Sequence, residues 1–586
     1  MKMKRALSCL LVLVVTAAVF LPGVTGGHLN LDDWGYTLGC PFVKDGLTAS
    51  GAARAFLDIG HGGIWMPLTY LSYALDFSLF GGSWQAHHAV NVALHAVNAV
   101  LVLLVLLRLF ACANGGTHPR FADAACLAAA LVWALHPMRA EAVVWIASRK
   151  EELWTLFALL GTLAWLASLE KGGFFRYLLA FGLFAAAMLS KPSAVCLPLL
   201  AGVVEAFGAP KKRRKVLRYA PLLLLSFFVG LVAVASQTHP TGMAPVDVFG
   251  TSFAWRALNA SVSLGLYLFR TVVPVGLHLD YRAVIGGWPL DGTLGLVALA
   301  VSVAGAVWAS RRWRGTRRAA CVRLAAGWFL VTLLPVLGLV GFTGDKACAD
   351  RYAYLPSVAL AFLLALGLVA LAERIRHRWL AAGVVLLLGG EIAVTEPLVA
   401  SFENDVSVYT RVLASDPDHW RALRVIGCER CARQNRMEEG VAMLRRSLRL
   451  RYSQQTAASL AYVLACRGAE GDFADVRRLG TRVAANPKLD REGLMLDALA
   501  IAAFREGDDK SAVRWFTASL TAPQRSHSNH HAMLNFGFAL ANVGRRREAE
   551  DMFVKLRKVS DRQVRERAAS AEALLRQPNP TRFAWQ

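Results

Sequence analysis

The sequence contains few charged residues for its length, and this scarcity excludes a soluble globular protein. Only 18% of its 586 residues are charged, whereas 55% are hydrophobic. A soluble chain of this size would carry more charge and fewer apolar residues. Up to about residue 400, long apolar runs alternate with short loops. This part of the sequence is therefore predicted to be a polytopic transmembrane domain.

Acidic residues are the scarcer of the two charges. The chain has 41 Asp and Glu against 64 Lys and Arg, which gives a formal net charge of +23. No nucleic-acid-binding motif accompanies this excess, so nucleic acid is not an expected partner. In a membrane protein, such an excess first reflects cytoplasmic loops and contact with anionic lipid. Membrane lipid is therefore a predicted partner.

The cysteines lack the spacing of a disulfide framework or a zinc site. The chain has ten, and Cys9, Cys126 and Cys196 lie within apolar runs. Cys428 and Cys431 form a C-x-x-C without the second pair that a structural zinc site needs. They are interpreted as ordinary helix residues. The sequence indicates no cofactor and no metal site, although a divalent metal is possible in principle.

Long apolar runs are absent from residues 401–586, where Arg is dense. Four small residues recur there at intervals typical of tetratricopeptide repeats, and a larger residue follows each by four positions. The aligned pairs are Gly440 with Leu444, Ala474 with Arg478, Ala512 with Phe516, and Ala549 with Phe553. We therefore predict a domain at 1–400 and, at 401–586, an α-solenoid of three to four repeats whose groove binds an acceptor protein or peptide.

Basic clusters in the loops predict the orientation of the membrane domain. Twelve segments are long and apolar enough to be candidate spans: 6–22, 89–110, 121–137, 153–169, 174–190, 192–208, 217–236, 256–277, 292–310, 323–342, 354–372 and 379–399. All basic clusters face the cytoplasm only if 256–277 is re-entrant or interfacial. We therefore predict about eleven spans in a bacterial inner membrane or its equivalent, with a cytoplasmic N-terminus, an uncleaved signal anchor and exocytoplasmic repeats.

The first outer loop, residues 23–88, contains two adjacent carboxylates, Asp32 and Asp33. Adjacent carboxylates at a membrane boundary repel each other and lose hydration, which favours a functional role. The alternative is that Asp32 caps a short helix and Asp33 is merely solvated. The predicted topology gathers further polar residues on the same face: Trp65, His136, Glu141, Arg149, Lys150, Lys191, Arg351 and Tyr354.

Several motifs, in order along nearly the whole chain, resemble one family. They are Asn30-Leu31-Asp32-Asp33, Trp65-Met66-Pro67-Leu68-Thr69, His88-Ala89-Val90-Asn91, His136-Pro137 with Glu141, Arg149-Lys150-Glu151, Ser190-Lys191-Pro192 and Arg351-Tyr352-Ala353-Tyr354-Leu355-Pro356. Together they resemble the GT-C glycosyltransferases fused to tetratricopeptide repeats, including the eukaryotic O-mannosyltransferases and their bacterial relatives. The resemblance implies an all-α, GT-C-like membrane enzyme that transfers a sugar from a polyprenyl-phosphate carrier on the exocytoplasmic side. It also implies that an acidic residue of the first outer loop, Asp32 or Asp33, is catalytic.

The chemistry of such a transfer suggests a role for each of these residues. A carboxylate with a raised pKa can accept the proton of the attacking hydroxyl, and we expect Asp33 to do so with Asp32 as its neighbour. Attack opposite the phosphate predicts inversion at the anomeric carbon. Cations stabilise the leaving phosphate, and the candidates are Arg351, Lys191, Arg149 and Lys150. His136, Glu141, Trp65 and Tyr354 are candidates for positioning the substrate.

Alternatives remain for these residues and for the function. Lys191 could only snorkel at a helix end, Arg351 could orient the loop through Asp350, and Glu141 could pair with Arg139 or Arg149. His88, Asn91 and His95 share a helical face that favours packing over metal binding. The acceptor could be a protein Ser/Thr, a lipid or a surface polysaccharide. A non-catalytic scaffold that recruits partners through its repeats is the alternative from another functional class.

Overall fold

The computed structural model describes residues 2–113, 121–208, 216–238, 252–281, 290–339, 348–433, 436–490, 492–522, 530–559, 561–577 and 583. Within these ranges the secondary structure is helical, with no strands. The fold is that of an all-α membrane protein, as predicted. The chain divides into two compact units, Met1–Arg411 and Val412–Gln586. The domain boundary predicted after residue 400 lies close to this division.

The first unit begins with a long apolar helix and a loop region of short helices. These are α1 (Lys2–Phe20), α2 (Asp33–Tyr36), α3 (Ala49–Leu57), α4 (Pro67–Phe80), α5 (Trp84–Ala113), α6 (Ala122–Leu135), α7 (Ala140–Val144) and α8 (Arg149–Lys171). Its remaining helices are α9 (Phe174–Ser190), α10 (Leu197–Gly208), α11 (Ala220–Thr238), α12 (Phe253–Val272), α13 (Leu290–Arg312), α14 (Arg317–Leu333), α15 (Val358–Ala372) and α16 (His377–Ala400). The helix α17 (Asp405–Ser415) begins in this unit and continues past its boundary.

Seven helices among the described residues are long and apolar enough to cross a membrane, or eight if the bent pair α6 and α7 is one span. Three further apolar helices are shorter, at Phe174–Ser190, Pro192–Ala206 and Val358–Ala372. The chain is therefore a multi-pass membrane protein. Each predicted apolar segment overlaps a helix of this unit over most of its length, although residues 340–342 of one segment fall outside the described ranges. The α12 helix is not among the seven, and the number of spans stays a prediction.

Polar breaks between the apolar helices place the site residues. Three short 3₁₀ turns begin with a proline. Proline suits the first position of such a turn, because its φ is fixed at a helical value and the N–H that it lacks would have no partner there. The turn Pro137–Arg139 separates α6 from α7, and the turn Pro192–Cys196 separates α9 from α10. Two further 3₁₀ turns, Ile146–Ser148 and Asp350–Ala353, precede Arg149 and contain Arg351. Most of the predicted site residues therefore lie at helix ends.

The second unit consists of consecutive helical hairpins. Its helices are α18 (Trp420–Ala432), α19 (Met437–Leu450), α20 (Gln454–Arg467), α21 (Asp472–Ala485), α22 (Leu494–Glu506), α23 (Asp509–Leu520), α24 (His530–Asn542), α25 (Arg546–Leu556) and α26 (Arg562–Leu575). Each helix packs against the next one along the chain, and α20 also packs against α22. This order is that of a stacked array of hairpins. Assignment to the tetratricopeptide repeats stays a prediction.

The proposed repeat alignment fits three of the four hairpins. Gly440, Ala512 and Ala549 are buried, but Ala474 is exposed. In its helix, α21, the buried positions are Val476 and Gly480 instead. The predicted alignment therefore does not fit this hairpin. The physical reason is that Gly480, not Ala474, is the small residue here, since it lies against the side chain of Leu499 on α22.

Candidate active site

Asp33 is the buried member of the aspartate pair. It begins α2 and is 1% exposed, so it is not merely solvated. Its Oδ2 accepts a hydrogen bond of 2.8 Å from the Leu29 N–H, and its Oδ1 accepts one of 2.8 Å from the Ala147 N–H. Burial raises the pKa of this carboxyl to about 7, and the two N–H donors oppose the rise. Asp33 thus ties the loop at its own end of α2 to the turn Ile146–Ser148.

Asp32 is half-buried and does not cap α2 with its side chain. No hydrogen bond of its carboxylate to another described residue is present. Its charge interacts with the ammonium of Lys150. The alternative in which the Asp32 side chain caps a short helix is therefore wrong. Of the two aspartates, Asp32 has the carboxylate with free acceptor positions.

Lys150 lies at the start of α8 and is 7% exposed. Its Nζ sits 4.6 Å from the centre of the Tyr36 ring, a cation–π contact. Within the described residues it forms neither a salt bridge nor a hydrogen bond. Besides Asp32, its charge interacts with Arg351, Glu151 and Lys191. These charges therefore form one cluster.

Lys191 is held by Glu151. Its Nζ lies 2.5 Å and 2.7 Å from the two carboxylate oxygens of Glu151, and both side chains are buried. Trp154 Nε1 donates a hydrogen bond of 3.0 Å to the same carboxylate. The Nζ also lies 4.9 Å from the centre of the Tyr352 ring. Lys191 is therefore more than a snorkelling side chain at a helix end.

Arg351 is held by Glu141. Its Nη1 donates to Glu141 Oε1, and its backbone N–H donates to Oε2 at 3.0 Å. The guanidinium lies 5.0 Å from the Trp145 ring centre and 4.7 Å from that of Tyr352. Glu141 is therefore paired, but with Arg351 and not with Arg139 or Arg149. Arg351 Nε is buried without a hydrogen-bond partner.

Asp350, the neighbour of Arg351, faces another element. It accepts a hydrogen bond of 2.8 Å from the Tyr281 hydroxyl. Burial raises its pKa to about 7, and the nearby Arg270 opposes the rise. The side chain of Arg351 pairs with Glu141 and that of Asp350 pairs with Tyr281. No hydrogen bond between the two side chains supports the alternative in which Arg351 orients the loop through Asp350.

Arg149 directs its donors into the protein. Its Nη1 lies 2.5 Å from Asp76 Oδ2, its Nε donates to Asn91 Oδ1 at 2.7 Å, and its Nη2 donates to the His87 carbonyl at 2.8 Å. The side chain has no exposed surface. His87 Nδ1 bonds the same Asp76 oxygen at 2.7 Å. This network joins α4, α5 and α8.

The three aromatic or imidazole candidates also have partners outside the charged cluster. His136 Nε2 donates to the Thr271 carbonyl at 3.1 Å, because its Nδ1 accepts from the Met138 N–H at 3.2 Å. Trp65 Nε1 donates to the Phe56 carbonyl at 3.0 Å. The Tyr354 hydroxyl lies 2.7 Å from His95 Nδ1. The structure brings together Asp32, Asp33, Lys150, Lys191, Arg351 and Glu141, and leaves Arg149, His136, Trp65 and Tyr354 in the surrounding frame.

Three rings in the cluster are additions to the predicted set. Tyr36, Trp145 and Tyr352 contact the cations Lys150, Lys191 and Arg351. Each lies within a few residues of a motif that contains one of the predicted charges. Their position beside these motifs is the feature of the sequence from which the three rings could be predicted. Among the described residues, no group of three His, Cys, Asp or Glu side chains has the arrangement of a metal site.

Comparison with known proteins gives relatives of a single kind. Human TMTC4, named a protein O-mannosyl-transferase, is 27% identical over 368 residues, which are 55% of this chain and 49% of TMTC4. Tmtc1 of Drosophila melanogaster, with the same description, is 24% identical over 484 residues, 67% of this chain and 55% of Tmtc1. The chain resembles the TMTC protein O-mannosyl-transferases. The resemblance predicted from the motifs is thereby confirmed.

The chain spans about half the length of the curated TMTC relatives it matches. A third relative, Tmtc2 of Drosophila melanogaster, is 29% identical over 241 residues, 38% of this chain and 24% of Tmtc2. No family model and no solved structure matches the chain. The chemical capacity of the site therefore rests on its own geometry.

The cluster combines an accessible carboxylate with several buried cations. Lys150, Lys191 and Arg351 contribute three positive charges, of which Glu151 and Glu141 neutralise two. Aromatic rings shield these cations from water, which strengthens their interaction with an incoming anion. Asp32 lies beside the cation without a salt bridge, Lys150. Such an arrangement can bind a phosphate and accept a proton close to it.

Proposed function

We propose that this chain is a glycosyltransferase that moves a sugar from a polyprenyl-phosphate-linked donor to a protein Ser/Thr hydroxyl on the exocytoplasmic face. The observation that carries the proposal is the half-buried Asp32 beside Lys150, with Arg351 and Lys191 in the same cluster. A protein acceptor is favoured by the TMTC relatives, which are named protein O-mannosyl-transferases. Lipid or polysaccharide acceptors are alternative outcomes of the test.

Asp32 is the better candidate for the general base. Asp33 is buried and both of its oxygens already accept backbone N–H groups, so a substrate hydroxyl has less access to its carboxylate. The Asp32 carboxylate has no such bond and is partly exposed. Asp33 then acts as a positioning residue, which holds the loop through its two backbone N–H donors. Because the acceptor hydroxyl would attack from the face opposite the leaving phosphate, the configuration at the anomeric carbon is expected to invert.

The leaving phosphate binds to the cations. Lys150 supplies a charge that no carboxylate in the described structure neutralises within salt-bridge distance. Arg351 supplies a fork of donors, of which Nε is buried and unpaired. Both stabilise the phosphate more strongly as its charge grows in the transition state. The ion pairs with Glu141 and Glu151 keep Arg351 and Lys191 in place, and the Arg149 network fixes the start of α8.

The test is sugar transfer in membranes that contain the full chain. Polyprenyl-phosphate mannose with radiolabelled sugar is the first donor, and incorporation into protein is the readout. Asp32→Asn should lower transfer about 100-fold or more, since a general base contributes roughly that factor. Lys150→Met should lower it comparably. The matched control is Asp45→Asn, which changes an exposed carboxylate in the same loop and should leave transfer within about twofold of wild type.

Each part of the assignment has a result that would overturn it. Full transfer by Asp32→Asn would remove Asp32 as the base, and loss only in Asp33→Asn would return that role to Asp33. Function that survives both substitutions but requires residues 412–586 would favour the scaffold. Glycoproteomics of the surface or periplasmic fraction, with and without the protein, identifies the acceptor. Sugar found only in lipid or polysaccharide would contradict a protein acceptor.

A further inference from the structure

The segment that leads to Asp32 runs beside the end of α16 and the start of α17. Gly23 is buried there, and a Cβ in its place would lie 2.5 Å from Val144 Cγ1 and 3.2 Å from Val399 Cγ1. Four residues further on, the Gly27 N–H donates a hydrogen bond of 2.9 Å to the Glu403 carbonyl. Two separate contacts therefore align residues 23–27 with residues 399–403.

A third contact, between Asn30 and Asp405, is made by hydrogen bonds to a carboxylate. The Asn30 N–H lies 3.1 Å from Asp405 Oδ1 and 3.2 Å from Oδ2, and Asn30 Nδ2 donates to Oδ2 at 2.8 Å. Hydrogen bonds to an ionised acceptor are about twice as strong as neutral ones. Asn30 lies two residues before Asp32 and next to Leu29, whose N–H donates to Asp33. Two successive amides of the loop are thus held by two carboxylates.

The helix that carries Asp405 is capped without it. Asn404 Oδ1 accepts from the Ser407 N–H at 3.0 Å, and Ser407 Oγ accepts from the Asn404 N–H at 3.1 Å. This reciprocal pair satisfies the first turn of α17 in the manner of a capping box. The Asp405 side chain is therefore available for the loop, and its removal leaves the cap in place.

We infer that Asp405 is a positioning residue that fixes the backbone of residues 29–32 and thereby the direction of the Asp32 carboxylate. This inference rests on the proposed function. A misplacement of about 1 Å in a catalytic group can cost about 100-fold in rate. Asp405 contacts the loop next to Asp32 and does not contact the cations that would bind the donor phosphate. Loss of this contact should therefore slow the chemical step and change donor binding little.

The experiment uses the full chain in lipid nanodiscs and two readouts. Asp405→Ala should accelerate hydrogen exchange of the Asn30 amide about tenfold. It should lower kcat for sugar transfer about 10- to 100-fold while the KM for the donor changes less than about threefold. Glu403→Ala is the matched control, because its side chain is exposed and only its backbone carbonyl holds the loop. It should match wild type in both measurements.

A swap of the two side chains separates positioning from a general loss of stability. Asn30→Asp alone places two carboxylates against each other and should be as impaired as Asp405→Ala. In the double variant Asn30→Asp with Asp405→Asn, the amide of residue 405 can accept from the backbone N–H and donate to the new carboxylate. We expect kcat within about threefold of wild type for this double variant. No recovery would overturn the inference.

The two readouts distinguish failure of the inference from failure of the proposed function. If wild type transfers sugar and Asp405→Ala matches Glu403→Ala in kcat and exchange, Asp405 does not position the loop. If wild type transfers no sugar from any polyprenyl-phosphate donor, the proposed function fails. The exchange rate of the Asn30 amide still decides in that case whether Asp405 holds the loop, and an unchanged rate overturns the inference.

Discussion

Asp32 and Asp33 are neighbours in sequence but occupy different environments. Asp33 begins α2, points into the protein and receives two backbone N–H groups. Asp32 stays half-buried and faces the charge of Lys150. Two adjacent positions at the start of α2 therefore separate the role of holding the loop from the role we propose for proton transfer. This division predicts different consequences for the same Asp→Asn change at the two positions.

The pH dependence of stability tests the environment of Asp33. Burial raises its pKa from 3.8 to about 7 in the folded protein. The folded state therefore holds a proton that the unfolded state releases, so this residue makes stability fall as the pH rises from about 4 to about 7. A shift of this size corresponds to about 4 kcal/mol between the two limits. Thermal unfolding of wild type and Asp33→Asn in detergent, at several pH values in this range, measures the difference.

The variant should lose this part of the pH dependence, so the gap between the two proteins changes with pH. Asp45→Asn is the control, because Asp45 is exposed in the same loop. Curves for wild type and Asp33→Asn that stay parallel across the range would contradict a proton on Asp33.

The sequence could predict which charged residues lie in the cluster better than it could predict their partners. The motifs include all of the charges that meet in the cluster. However, the pairing of Glu141 with Arg351 joins residues 210 positions apart. The Arg149 donors turn inward because Asp76, Asn91 and His87 come from two other helices. Spacing along one chain does not encode such contacts, since they depend on how the helices pack.

At the scale of elements, α12 and α13 approach each other closely at two glycines. A Cβ at Gly265 would overlap the carbonyl oxygen of Gly295, and a Cβ at Gly295 would lie 2.7 Å from the Val262 carbonyl oxygen. Small residues at such a crossing allow the backbones of membrane helices to touch. The α12 helix also supplies Thr271, whose carbonyl accepts from His136. The crossing therefore helps to fix the frame around the site.

Gly265→Ala should separate these two helices. The obstructing atom belongs to the backbone of α13, so no side chain can move away, and we expect destabilisation of about 1–3 kcal/mol or more. Gly305→Ala on α13 is the control, because nothing lies within 4 Å of a Cβ there. It should be neutral or stabilising, since Ala favours helix more than Gly. The melting temperatures of the two variants in detergent test this expectation. Equal values would contradict the close approach of the two helices.

Helix existence was predictable from apolar runs, whereas registers within the repeats were not. Each apolar run that predicted a candidate span coincides with a helix over most of its described residues. In α21 the small residue that meets the following helix is Gly480, six positions after the aligned Ala474. A pattern of small residues every 34 to 38 positions cannot distinguish these two, because both are small and both lie on the same helix.

At the scale of the whole molecule, charge and orientation are linked. The hairpin between α13 and α14 carries exposed arginines, among them Arg311, Arg314 and Arg317, and the positive-inside rule assigns it to the cytoplasm. Three apolar helices, α14, α15 and α16, separate it from the second unit. We predict that all three helices cross the membrane, and this odd number of crossings would put residues 412–586 on the side opposite the hairpin. The proposed function requires that side to be the one that Asp32 faces.

Thiol labelling of intact cells measures this orientation. Because the chain has ten cysteines, single cysteines are introduced into a variant that lacks them, as Asp45→Cys, Arg314→Cys and Glu470→Cys at exposed positions. A membrane-impermeant maleimide should label residues 45 and 470 directly and residue 314 only after permeabilisation, because the arginine hairpin stays inside. Labelling of 314 alone would reverse the orientation. Labelling of 45 without 470 would place the repeats away from Asp32, and an acceptor bound by the repeats could then not reach the proposed base.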